Sequence, residues 1–132
     1  MPKAKRNRKL TPAALEKLAL ELLTYLQKNE LFNYVYIYVN GDCYSDHRID
    51  GNGTQLTTDY GAYYHIPNQP VREIMDYCNP ETISVRFDGD LYYELNQSDG
   101  RVADDLNRMF KKHNMYFDQG YPSDFSLYYD FD

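Results

Sequence analysis

Residues 33–46 carry the clearest periodic pattern of the chain, which reads Asn33-Tyr34-Val35-Tyr36-Ile37-Tyr38-Val39-Asn40-Gly41-Asp42-Cys43-Tyr44-Ser45-Asp46. From residue 34 to residue 39 tyrosines alternate with β-branched residues, as in a strand whose two faces differ. We expect the apolar face to pack against a core and Asn40-Gly41 to turn the chain into a second strand. Three tyrosines on the opposite face are more aromatic surface than a solvated strand requires. That face is the first candidate for a binding surface.

A similar pattern recurs at residues 83–94. The stretch Asp88-Gly89-Asp90-Leu91-Tyr92-Tyr93-Glu94 aligns with residues 40–46 as an Asx-Gly-Asp-x-Tyr-x-acid pattern, and an alternating apolar strand precedes each copy. Helical patterns precede both copies, and a third helical pattern precedes a degenerate copy, which has a longer loop and consists of residues 115–118 and 124–129. These repeats predict three helix-plus-hairpin units. The alternative is that unrelated hairpins share Asx-Gly turns, because both residue types adopt a positive φ readily.

The length of the second turn determines which side chains face each other. A two-residue loop would place Phe87 opposite Asp90, whereas a three-residue loop pairs Phe87 with Leu91 and keeps the inner face apolar. We therefore predict a three-residue loop. In the first hairpin the same logic predicts these pairs on the outer face: Tyr38 with Tyr44, Tyr36 with Asp46, and Tyr34 with Arg48.

The rest of the chain alternates between helical and strand periodicity. Thr11-Pro12 is a typical helix start, and apolar residues recur from Leu15 to Leu26 at the spacing of an amphipathic helix. Further helices are predicted over residues 71–78 and 98–113, and further strands over residues 55–66 and 125–131. We predict an α+β fold in which residues 11–132 form one domain, with three helices on one face of a largely antiparallel sheet of about six to seven strands.

Charge is distributed unevenly along the 132 residues, whose net charge is −6. The first ten residues carry five basic side chains and no acidic one, so we predict a disordered basic arm over residues 1–10. The remaining residues carry nine basic and twenty acidic side chains, a balance of −11. With fifteen tyrosines in the chain, such a body suits basic partners and repels nucleic acid. The alternative is that the acidity only keeps the protein soluble.

The cysteines and the hydropathy pattern indicate the compartment. The chain has two cysteines, and no apolar run approaches the roughly 20 residues of a membrane span. No signal-peptide core follows the basic start. We predict a cytoplasmic protein with reduced cysteines.

Candidate chemical sites are few. Cys43 and His47, which the predicted register places on the inner face, lack the second half of a zinc site. Residues 50–54 begin like a calcium loop, but Gly61 stands where the bidentate acid should be. We therefore predict neither a metal nor another cofactor. His65 and His47, with tyrosine and aspartate neighbours, would be the residues of a small enzyme.

Three hypotheses about function follow from the sequence. The favoured one is a non-enzymatic interaction module that presents an acidic, tyrosine-rich surface to a basic partner. In one form it is an inhibitor of a nucleic-acid-binding protein that acts by imitating phosphates. Its predicted partner-binding residues are Tyr34, Tyr36, Tyr38, Asp42, Tyr44, Asp46, Asp88, Asp90, Tyr92 and Glu94. The second is a nucleic-acid or ribonucleoprotein binder that uses Lys3, Lys5, Arg6, Arg8 and Lys9. The third is the small enzyme. An exposed edge strand, for example the terminal one, would also allow a dimer.

Overall fold

The computed structural model describes residues 9–131, which form an α+β fold with three helices packed against a seven-stranded antiparallel sheet. The helices are α1 (Pro12–Lys28), α2 (Asp90–Asn96) and α3 (Arg101–Lys111). The strands are β1 (Val35–Val39), β2 (Asp42–Ser45), β3 (Thr54–Thr58), β4 (Gly61–Ile66), β5 (Ile83–Phe87), β6 (Met115–Asp118) and β7 (Asp124–Tyr129). Their order in the sheet is β3-β4-β2-β1-β5-β7-β6, so the terminal strand β7 is internal and the edges are β3 and β6. Of the helices that residues 9–131 form, none has the length and apolar character needed to cross a membrane.

Helix α1 forms as its sequence predicts. The Thr11 hydroxyl accepts a hydrogen bond from the backbone N–H of Ala14 at 3.1 Å, and Pro12 occupies the first turn. The apolar stripe of α1 is buried against the β1 face that carries Val35 and Ile37. Burial of each leucine contributes about 1.5–3 kcal/mol, so this contact is a main source of the stability of the fold.

The first hairpin has a shorter turn than predicted. Asn40 and Gly41 have φ values of 53° and 81°, and they form a two-residue turn that pairs Tyr38 with Cys43. The predicted pairing of Tyr38 with Tyr44 was therefore wrong by one residue, and so were the other outer-face pairs derived from the same loop length. Because a one-residue change of register reverses the faces, Tyr44 points towards the helices and Cys43 away from them. The inner-face position predicted for Cys43 was wrong for the same reason.

The second predicted hairpin is absent from the described residues, because Asp90–Asn96 forms helix α2 instead of a strand. The three-residue loop was consequently wrong as well. Leu91 is fully buried and Leu95, one helical turn later, packs beside the same core. Of the three predicted helix-plus-hairpin units, the first and third are formed, by α1-β1-β2 and α3-β6-β7, but the second is not. The helix predicted over residues 71–78 is only a 3₁₀ turn at Val71–Glu73, so α2 takes its place in the count of three.

Two long connections cover the sheet face that lies opposite the helices. The link from β2 to β3 passes β4 on this face, where the Arg48 guanidinium lies 4.8 Å from the centre of the Tyr64 ring. The link from β4 to β5 buries Val71 and Met75 against Tyr38 and its neighbours. We call this side the loop face. Both faces of the central strands are thus covered.

The arm meets the body at its last two residues. The backbone N–H of Leu10 donates to the Tyr129 hydroxyl at 2.8 Å, and the Lys9 amino group lies 3.5 Å from a carboxylate oxygen of Glu81. The other basic residues proposed for nucleic-acid contact, Lys3 to Arg8, lie outside the described residues. The disordered arm stays a prediction for that part of the chain.

Candidate functional site

An acidic concavity lies at one end of the sheet, and we call it the acidic groove. It has a volume of about 430 Å³. Its carboxylates come from three elements: Glu30 follows α1, Asp46 follows β2, and Asp90 begins α2. The other lining residues are Gln27, Phe32, Asn33, Tyr60, Gly61 and Ala62.

The backbone holds Asp46 in place. Its two carboxylate oxygens accept hydrogen bonds from the N–H groups of Tyr34 and Val35 at 2.8 and 3.0 Å. These bonds fasten the end of β2 to the start of β1. Asp46 therefore supplies a fixed charge to the lining of the groove, and its substitution would disturb the hairpin.

Asn33 positions Asp90. The Asn33 side-chain oxygen accepts from the backbone N–H of Asp90 at 2.8 Å, and its amide nitrogen donates to the Asp90 carboxylate at 3.1 Å. This reciprocal pair satisfies one of the free N–H groups at the start of α2. It leaves the Asp90 side chain at the groove wall with its charge exposed.

Tyr34 and Asp88 lie at the same end of the sheet. The backbone N–H of Asp88 donates to the Tyr34 carbonyl at 3.0 Å, and the Tyr34 side chain is 54% exposed. The Tyr34 ring stacks on His47 at 4.8 Å, and His47 Nδ1 lies 3.0 Å from a carboxylate oxygen of Asp46. His47 thus supports the groove wall.

Tyr36 and Tyr38 occupy the loop face and do not form an open aromatic surface. Tyr38 is only 2% exposed and accepts a hydrogen bond from Arg86 at 3.4 Å. The Arg86 guanidinium also lies 4.3 Å from the centre of the Tyr36 ring. Burial raises the pKa of Tyr36, opposed by Arg86 and reinforced by the charges of Asp46 and Asp88.

Asp42 and Tyr44 lie on the helix face, away from the acidic groove. Asp42 pairs with His65 Nε2 at 2.8 Å, and the His65 ring stacks on Tyr44 at 5.0 Å. The Tyr44 hydroxyl donates to Glu16 at 2.5 Å. Burial, and then this hydrogen bond, raise the pKa of Tyr44. The chain of contacts fastens β2 and β4 to α1.

Cys43 follows Asp42 in the sequence, but its thiol does not lie beside the His65–Asp42 pair. Cys43 points to the loop face, and burial raises the pKa of its thiol to about 12, which makes it an inert side chain.

The last two predicted residues lie on α2. Tyr92 is half-buried and packs against the core. A carboxylate oxygen of Glu94 lies 4.0 Å from a guanidinium nitrogen of Arg101. The ten predicted residues are thus divided among the acidic groove and its rim, the loop face, the helix face and α2. Sequence reasoning missed Glu30, Asn33 and Tyr60, because only the fold brings them to the groove.

Within residues 9–131, no group of three or more His, Cys, Asp or Glu side chains converges as a metal site would require. Glu30, Asp46 and Asp90 line the acidic groove without forming such a group. In comparisons with known proteins, no family, no curated protein and no solved structure matches the chain.

Proposed function

We propose that the protein is a non-enzymatic interaction module whose acidic groove binds a basic segment of a partner protein. The observation that supports this proposal is the position of Glu30, Asp46 and Asp90 around one concavity, although they come from three separate elements. Tyr60 lines the same groove, and Tyr34 is exposed at the same end of the sheet.

These groups match the chemistry of lysine and arginine side chains. Carboxylates accept charge-assisted hydrogen bonds from guanidinium and ammonium groups, and tyrosine rings attract cations. The Lys28 amino group already lies 6.0 Å from the centre of the Tyr60 ring. A lysine or arginine of the partner would meet the same ring together with the groove carboxylates.

The charge of the body favours a basic partner over a nucleic acid. Residues 11–132 carry a balance of −11, which attracts basic proteins over a distance and raises their association rate. A narrower form of the proposal is that the partner binds nucleic acid and that the carboxylates take the place of phosphates. The two free cysteines accord with the cytoplasmic location, which stays a prediction.

A titration with a fluorescent oligoarginine peptide tests the groove. The variant pair Glu30→Gln and Asp90→Asn removes two groove charges and keeps the side-chain shapes. The control pair Glu73→Gln and Asp104→Asn removes one glutamate and one aspartate at exposed positions that do not line the groove.

We expect the groove variant to bind about fivefold more weakly than the control, since each exposed ion pair contributes about 0.5 kcal/mol. Added salt should weaken binding in both. Equal affinities of the two variants would show that only the net charge matters, and the groove would not be the site.

A labelled single-stranded oligonucleotide, titrated in parallel, tests the hypothesis that the basic arm binds nucleic acid.

A further inference from the structure

The outer strand β3 has an unusual sequence for the edge of a sheet. It reads Thr54-Gln55-Leu56-Thr57-Thr58, without a charge or a proline, and in the described part of the chain it pairs only with β4. Natural edge strands are commonly protected against pairing by charges, prolines or bulges. The other edge, β6, has four residues and ends in Asp118. Leu56, in the middle of β3, is 42% exposed.

The pairing of β3 with β4 determines which backbone groups remain free. Thr58 and Gly61 flank a two-residue turn, so they form a hydrogen-bonded pair, and Leu56 with Tyr63 is the next such pair. The alternating positions Gln55 and Thr57 therefore direct their N–H and C=O groups away from the sheet.

We propose that β3 pairs antiparallel with β3 of a second copy of this chain, about a two-fold axis at Leu56. In this register the outward N–H and C=O groups of Gln55 face those of Thr57 in the second copy. The two-fold axis generates a second, identical pair from Thr57 and the Gln55 of the second copy. Four backbone hydrogen bonds form. The two Leu56 side chains face each other across the axis, and Thr54 faces Thr58.

The strand is complementary to itself, and this favours a second copy over an unrelated strand. Because the two-fold axis passes through a single residue, each side chain faces one on the same side of the sheet. The helix-covered faces of the two copies therefore form one continuous side of the joined sheet. No like charges meet along the five pairs.

The net charge of −6 on each copy opposes approach. A five-residue edge buries less area than a stable interface of about 1,200 Å². The dimer is therefore weak and depends on concentration and salt.

Two measurements on the intact protein test the register. Sedimentation equilibrium from about 10 µM to about 500 µM, a range matched to weak affinity, should show the mass rising from one chain towards two. Over the same range, amide hydrogen exchange at Gln55 and Thr57 should slow, whereas Leu56, already bonded to β4, should be protected at every concentration. A mass of one chain throughout, or unprotected Gln55 and Thr57 in a dimer, would overturn the proposal.

Two variants separate the backbone contribution from the side-chain contribution. Thr57→Pro removes an outward N–H that β4 does not use, and Thr57→Val is its matched control because it keeps that N–H. We expect the proline variant to stay folded and monomeric and the valine variant to dimerise. Leu56→Lys should also abolish the dimer, since it places two like charges at the axis.

Salt distinguishes this dimer from the function proposed for the groove. Screening reduces repulsion between two acidic copies, so the dimer should strengthen with salt, whereas oligoarginine binding should weaken. Failure of either proposal leaves the other unaffected.

Discussion

The two copies of the Asx-Gly-Asp-x-Tyr pattern fold differently, although their sequences align. In the first copy, Asn40 and Gly41 both adopt positive φ and the following residues form β2. In the second copy, Gly89 has a φ of −103° and the following residues form α2. The same turn residues therefore close a hairpin in one place and start a helix in the other.

Packing around the turn explains the difference. Gly41 has open space where a side chain would begin, whereas a Cβ on Gly89 would overlap the Asn33 carbonyl oxygen. Asn33 also bonds to Asp90 and so initiates α2. A contact with residue 33, distant in sequence, thus determines the conformation that the local pattern left open. Asp90 lines the acidic groove together with Asp46, so both copies contribute a charge to it.

Of the substitutions that test why the two copies of the pattern fold differently, we expect Leu91→Ala to have the largest effect on stability. Leu91 is fully buried, and Leu91→Ala should lower the free energy of unfolding by about 2–5 kcal/mol because it leaves a cavity. Tyr93→Ala should change it by less than about 0.5 kcal/mol, since Tyr93 is 57% exposed on the helix surface. Urea unfolding measures both. A large cost at Tyr93 would support the predicted strand instead of α2.

The next effect concerns the two glycines. Gly89→Ala should cost about 2–3 kcal/mol, because the added methyl group overlaps a backbone oxygen that cannot move without a shift of the chain. Gly41→Ala should cost about 1 kcal/mol, the conformational penalty of a positive φ. If the two costs were equal in urea unfolding, the contact with Asn33 would not be what distinguishes the copies.

Local signals predicted much of this fold. The cap at Thr11, the stripe of α1 and the alternation of β1 were sufficient for those elements, because each follows from neighbouring residues. Residues 90–96 fit either a strand or a helix, since Leu91 and Leu95 satisfy both periods. Only their packing beside α3 decides between the two.

The candidate site was less predictable than the fold. Tyr36 and Tyr38 alternate as predicted. The periodicity of the strand does not show, however, that long connections cover the loop face on which these tyrosines lie. Asp46 and Asp90 were both predicted, yet their position at one groove depends on the α2 helix that the sequence did not reveal. Glu30 and Tyr60 had no local signal at all.

A smaller effect distinguishes the tyrosine of the first copy. Because the pKa of Tyr44 is raised above its value of 10.0 in an unfolded chain, its contribution to stability is complete below pH 10 and is lost as the pH rises further. Urea midpoints should therefore fall between about pH 10 and pH 11.5. In Tyr44→Phe the midpoint should be lower at pH 8 but should fall less steeply, since the ionising group is gone. Parallel slopes in the two proteins would contradict the raised pKa of Tyr44.

The most direct test of the central claim is to locate a basic ligand on the intact protein. In a nuclear magnetic resonance titration with an oligoarginine peptide, we expect the backbone amide signals of Gln27, Asn33, Tyr60 and Ala62 to shift together and to saturate. Amides near Glu73 and Asp104 should shift little. Shifts spread evenly over all acidic regions, or centred on the helix face near Asp42, would contradict the assignment of the acidic groove as the binding site.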